Sequence, residues 1–136
     1  MGNHQGSCLC GAVSFEIEGD FEQFFLCHCS RCRKNSGSAH GANLFSSSAT
    51  LIWRRGEDRV RDFHLPETRH TRSFCEICGS AMPQRISNDA VLMVPAGSLD
   101  SPITKQPDGH IFTADKAAWE ETLSQCPRFN TFPGMD

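Results

Sequence analysis

The sequence predicts a mainly β fold, a small sheet-built domain with little helix. Three observations carry this. Short strand-like runs recur at regular spacing along the 136 residues. The run "AVSFEIEG" alternates Val13, Phe15 and Ile17 against Ser14, Glu16 and Glu18, the period of a half-buried strand. Only "TADKAAWEETL" carries helix signals, with Thr113 or Asp115 as an N-cap ahead of Ala117, Ala118 and Leu123.

The other elements follow in order. "FFLCHC" reads as a strand running straight into a cysteine cluster, and "HGANLF" and "TLIW" as further strands. "WRRGEDRV" puts a Gly56 turn ahead of "VRDFHL", which predicts a hairpin with a solvated, charged surface. "HTRSF" delivers the chain to "CEICG", and "VLMVPAGSL" is a buried strand closed by Pro95 and Gly97. The tail "CPRFNTFPGMD" is expected to drape over the surface. Phe15, Phe24, Phe25, Phe45, Phe63 and Phe74 are assigned to packing, as are Trp53 and Trp119. With no repeat, linker or low-complexity segment, residues 1–136 are expected to form one domain.

Hydrophobic content of 38% allows only a small core, so metal crosslinks would contribute to stability. A net charge of −3 argues against generic binding to nucleic acid or anionic membranes. The start, "MGNHQGSCLCG", has no apolar signal region, and no run approaches the roughly 20 apolar residues of a membrane helix. Gly2 alone is too little to indicate myristoylation. The expected location is cytoplasmic, where thiols stay reduced. Eight cysteines in that setting point to metal or redox chemistry rather than disulfides.

The cysteines fall into a pair (Cys8, Cys10), a triad (Cys27, Cys29, Cys32), a second pair (Cys75, Cys78) and a lone Cys126. In a strand, residues i and i+2 lie about 6.6 Å apart, a strained setting for a disulfide. A tetrahedral zinc tolerates wider spacing, and i, i+2 thiols share one face. The two pairs, each ending in glycine, make a closed four-cysteine structural site. The triad lacks a fourth ligand. In an extended "CHC", His28 points away from Cys27 and Cys29, which suits packing or support rather than ligation. Cys126 would close the site; otherwise the position is open to solvent or substrate, as in catalytic zinc. Thiolate-bound zinc favours a sulfur guest and ionises it, which suits making or breaking a carbon–sulfur bond to a small aldehyde. Arg31, Arg33 and Lys34 are either grips for the carboxylates of a thiol such as glutathione or an ordinary solvated face. His4, His40, His64, His70 and His110 lie outside metal spacing and are expected to be structural or exposed. His40 and His110 are the candidates for a general acid.

The pieces "GSCLCGAVSFEIEG", "CHCSRCRKNSGSAHG", "FCEICGSAMP", "VPAGSLDSP" and "HIFTADKAAW", spanning residues 6–119, resemble the glutathione-dependent formaldehyde-activating enzyme family, also called the centromere protein V/GFA family. The resemblance implies an Mss4-like zinc-binding β fold with two zincs per chain. It assigns the structural zinc to Cys8, Cys10, Cys75 and Cys78, and the catalytic zinc to Cys27, Cys29 and Cys32. It implies a carbon–sulfur lyase of the S-(hydroxymethyl)glutathione synthase type, joining glutathione and formaldehyde. The alternative is a zinc-stabilised module that binds glutathione or a protein partner without chemistry.

Overall fold

The computed structural model of the chain describes residues 2–135 and is mainly β. Three antiparallel-dominated sheets carry the fold. The first has order β1 (Asn3–Ser7), β2 (Ser14–Glu18), β5 (Thr50–Arg55). The second runs β11 (Gly109–Ile111), β3 (Gln23–Cys27), β4 (Gly41–Ser46), β10 (Val91–Pro95), β9 (Gln84–Ile86), with β11 parallel to β3. The third is β6 (Val60–His64), β7 (Thr71–Cys75), β8 (Ala81–Met82). Among the described residues one α-helix, α1 (Ser30–Ser36), is joined by short 3-10 turns.

The core forms where the sheets meet. Phe15 and Ile17, the inward positions of β2, are buried with Val13, Leu44, Leu92 and Val94. Cys8 and Cys75 belong to the same buried cluster, so the first cysteine set is rooted in the core through these two, with Cys10 exposed and Cys78 half-buried. Trp53 lies half-buried with its ring edge-on to Phe15 at 5.8 Å. The strand β1 is polar, and Gly6 explains why it docks. A Cβ at this position would lie 2.2 Å from Phe15 Cζ and 2.6 Å from the Ser98 carbonyl. Gly6→Ala is therefore expected to destabilise the fold by roughly 1–3 kcal/mol through overpacking. A lowered urea midpoint at unchanged slope checks this.

Three expectations are corrected. β5 and β6 do not form a hairpin: β5 pairs with β2 and β6 with β7. Gly56, left-handed at φ 76°, leads instead into a 3-10 turn at Glu57–Arg59 that moves the chain from one sheet to another. A Cβ there would lie 2.0 Å from the Ala12 carbonyl, so the crossing needs glycine. The predicted C-terminal helix is two 3-10 turns, Thr113–Asp115 and Ala118–Gln125, the second broken at Thr122. Its apolar residues find no partner surface: Trp119 is 57% exposed and Leu123 42%, and the packing expected of Trp119 and Phe63 is absent. The α-helix lies instead at Ser30–Ser36, inside the cysteine triad.

Candidate metal centres

The first cysteine set is built from two turns at the ends of neighbouring sheets. Cys8 ends the β1 side, its turn closed by the Gly11 amide donating to the Cys8 carbonyl at 3.1 Å. Cys75 ends β7, and the Gly79 amide donates to the Cys75 carbonyl at 2.8 Å. Gly11 and Gly79 take φ of +81° and +78°, the left-handed conformation that turns the backbone around the sulfurs. Leu9 and Ile77 stand exposed at the tips. The sulfurs of Cys8, Cys10, Cys75 and Cys78 all fall within 4.8 Å of one another. Cys8–Cys10 at 3.6 Å and Cys10–Cys75 at 3.9 Å match the roughly 3.8 Å between sulfurs around a tetrahedral zinc.

Crowding four ionisable thiols separates their proton affinities. Cys78 falls to about 5 because the Ser80 hydroxyl and amide stabilise its thiolate. Cys10 rises to about 11: the Ala12 amide draws it down, but burial and the three neighbouring sulfurs outweigh that. Like charges at this spacing cannot all form without a cation, and a divalent ion removes the conflict. The donor set therefore fits a metal.

The second set sits where β3 becomes α1. Cys27 is the last residue of β3; Cys29 is the N-cap of the helix, its sulfur accepting from the Cys32 amide at 3.4 Å; Cys32 lies in the first turn. Gly37, left-handed at φ 71°, ends the helix, and its amide donates to the Arg33 carbonyl. The three sulfurs also lie within 4.8 Å of one another. Burial pushes Cys27 and, more strongly, Cys32 upward, the neighbouring sulfurs adding to Cys32. Gly41, opposite Cys27 on β4, lies beside the trio: a Cβ there would stand 3.7 Å from the Cys32 sulfur, an ordinary contact.

Among the described residues no fourth protein ligand joins this trio. Cys126 is exposed, its thiol 3.7 Å from the Thr122 carbonyl. His28 is 1% exposed and turned to a different neighbour, with its Nε2 2.7 Å from His110 Nδ1. His40 packs against the same ring at a centroid distance of 5.2 Å. Burial, then the His28 and His110 rings, lowers the proton affinity of His40.

A cleft of about 770 Å³ opens beside the trio, with Cys32 in its wall. Arg69, His70 and Arg72 line it, with Asn35 and Asn43. Two of these carry buried polar atoms with no partner, Asn35 Oδ1 and Arg72 Nε. The Arg72 guanidinium is held over the Phe74 ring at 5.1 Å. His70 is drawn down from the usual histidine range by burial and by Arg31 and Arg72, so it is neutral at neutral pH. The proposed grips Arg31, Arg33 and Lys34 do not line this cleft; Arg33 instead donates to the His28 carbonyl at 3.4 Å. Nor do the general-acid candidates His40 and His110 line it. The basic wall comes from "TRHTR", which gave no local signal. It comes beside Cys32 only because residues of β4 and of the β7 side line the same cleft.

No helix among the described residues is long and apolar enough to cross a membrane. Comparison with known proteins agrees with the resemblance drawn from the motifs. The family model for the glutathione-dependent formaldehyde-activating enzyme matches residues 3–115. A protein of Halomonas elongata that carries this family's name is 30% identical over 131 residues, covering 89% of this chain and 82% of its relative. The crystal structure of a Rhodobacter sphaeroides protein is similar at a TM-score of 0.54 and 25% identity, covering 78% of this chain and 98% of the other. The chain belongs to the glutathione-dependent formaldehyde-activating enzyme family.

Proposed function

We propose that this chain is a two-zinc carbon–sulfur lyase-type enzyme of the cytoplasm, acting on a glutathione–formaldehyde adduct. Residues 1–136 act as one domain. Cys8, Cys10, Cys75 and Cys78 hold a structural zinc, and Cys27, Cys29 and Cys32 hold the catalytic one. The observation that carries the reading is the junction of a three-sulfur centre with a basic cleft through Cys32. Zinc bound there would supply a soft Lewis acid that keeps an incoming thiol ionised at neutral pH.

The chain's own residues do the rest. The reaction is an addition: the thiol sulfur bonds the aldehyde carbon, the thiol proton leaves, and the former carbonyl oxygen gains a proton. Arg72 and Arg69 present cations to the carboxylates of glutathione, and Arg72 Nε and Asn35 Oδ1 are a buried donor and acceptor in want of a ligand. The ring stacked beneath Arg72 pre-orients its guanidinium, which lowers the entropy lost on binding. Neutral His70, in the same wall, is the histidine placed to exchange a proton with the adduct.

Arg72→Ala is expected to raise KM for glutathione by about 10–100-fold with little change in kcat, the pattern of lost uniform binding. Exchange between free and thiol-bound formaldehyde, followed by NMR with and without protein, tests turnover directly. Acceleration over the spontaneous rate that disappears in Cys29→Ser supports the enzyme. A rate equal to the spontaneous one, with glutathione still bound, would instead favour the non-catalytic module.

A further inference from the structure

A different donor group lies outside both cysteine sets. His28, His110 and Glu120 each offer one ligand atom within 4.8 Å of the others. They come from three stretches distant in sequence: the link between β3 and α1, strand β11, and the 3-10 turn Ala118–Gln125. Parallel pairing of β11 with β3 sets His110 opposite Leu26, and the His28 amide donates to the Ile111 carbonyl at 2.9 Å. The backbone thus sets the two imidazoles side by side, their centroids 4.9 Å apart and their planes tilted by 45°. His28 Nδ1 is buried with no partner, so the polar contacts of that ring run through Nε2, the atom facing His110. His110 is exposed and Glu120 half-buried, which leaves an ion a path from solvent.

Two imidazoles and one carboxylate are borderline donors. They suit a divalent first-row transition ion, whereas calcium and magnesium prefer oxygen alone. We propose that His28, His110 and Glu120 form a third metal site, a two-histidine, one-carboxylate centre for an ion such as zinc or cobalt. Bound there, the ion ties the C-terminal turn to the strand end that carries Cys27. Metal–nitrogen bonds of about 2.0–2.1 Å place tetrahedral ligand nitrogens roughly 3.3 Å apart. Entry of the ion therefore opens the 2.7 Å histidine pair by about 0.6 Å, and the proton between the rings moves to the outer nitrogen of the imidazole that carried it. The turn Ala118–Gln125 buries no residue, so Glu120 is free to make that adjustment. Water completes the coordination, since three protein ligands leave an open position.

The staple answers a structural need. Trp119, Leu123, Phe129 and Phe132 are all exposed, and the Lys116–Glu121 ion pair lies within the segment itself. Coordination through Glu120 would anchor it to the sheet.

The test uses the full chain with both cysteine sets already filled by zinc, titrated with Co²⁺. The expected result is one further equivalent with weak visible bands and no intense near-ultraviolet absorption from cobalt–thiolate bonds. His110→Ala and Glu120→Gln should each weaken it at least about tenfold while retaining two zincs per chain. Cobalt should also slow proteolytic cleavage within residues 118–135 in the wild type but not in Glu120→Gln. A titration with no third equivalent, or one showing only cobalt–thiolate absorption, would overturn the proposal. So would a third equivalent equally tight in both variants.

Discussion

Replacing Cys75 with serine unfolds the chain. Cys75 is fully buried, lies in the core cluster, and closes the set that ties the end of β1 to the end of β7. Structural zinc contributes apparent binding energies of about 10–16 kcal/mol in small folds, comparable to the whole stability of about 5–15 kcal/mol expected for a domain. With zinc in the proposed structural site, removing one thiolate would leave three sulfurs around a weakly held ion, and a serine hydroxyl is no substitute for a soft anionic donor. Circular dichroism should lose its β signal at 25 °C, and a strong chelator should do the same to the wild type. Cys126→Ser provides the contrast. Its thiol is exposed, so the substitution should change stability by no more than about 0.5 kcal/mol and leave zinc content as it was.

On the proposed two-zinc reading, Cys29→Ser has the opposite profile: the chain is expected to stay folded, to lose the zinc of this trio, and to lose activity. Serine is a favoured N-cap, so it takes over the contact that the Cys29 sulfur makes with the Cys32 amide, and α1 survives. The remaining two sulfurs no longer hold a metal firmly. The fall in kcat/KM should be on the order of 10³-fold, or about 4 kcal/mol of lost transition-state stabilisation. Metal analysis alongside the NMR exchange rate checks both halves. Retained turnover with one zinc would separate the chemistry from this centre.

The grouping of the thiols was readable before any fold was known, because their spacing separates two pairs from a triad. CxC and CxxC bring sulfurs together locally, and the structure gathers the same two sets. Strand β2 was equally plain, since Phe15 and Ile17 alternate with charged residues and are buried as that pattern requires. The helix α1 was hidden for two reasons. It buries no residue, so it has no apolar period, and its cap is a thiol rather than a hydroxyl or carboxylate. "TADKAAWEETL" misled in the reverse sense: it has caps and good helix formers but no surface to pack against, and short helices depend on tertiary packing. The Gly56 hairpin failed because β5 finds its partner in β2, an association that neighbouring residues do not encode. The basic wall of Arg69 and Arg72 and the meeting of His28 with His110 are consequences of topology. In each, residues some 40 to 80 positions apart come together only once the sheets are ordered.

The claim that matters most is that the trio of Cys27, Cys29 and Cys32 accepts a thiol from outside the protein. Cadmium-113 NMR of the cadmium-loaded chain reads it directly, since the resonance of each ion reports how many sulfurs surround it. Two resonances are expected in the sulfur-ligated range, one of which is absent in Cys29→Ser. Adding glutathione should shift that one alone toward the four-sulfur position of its partner. If it already sits at the four-sulfur position and glutathione leaves both signals in place, the trio has no room for a substrate and the account is contradicted.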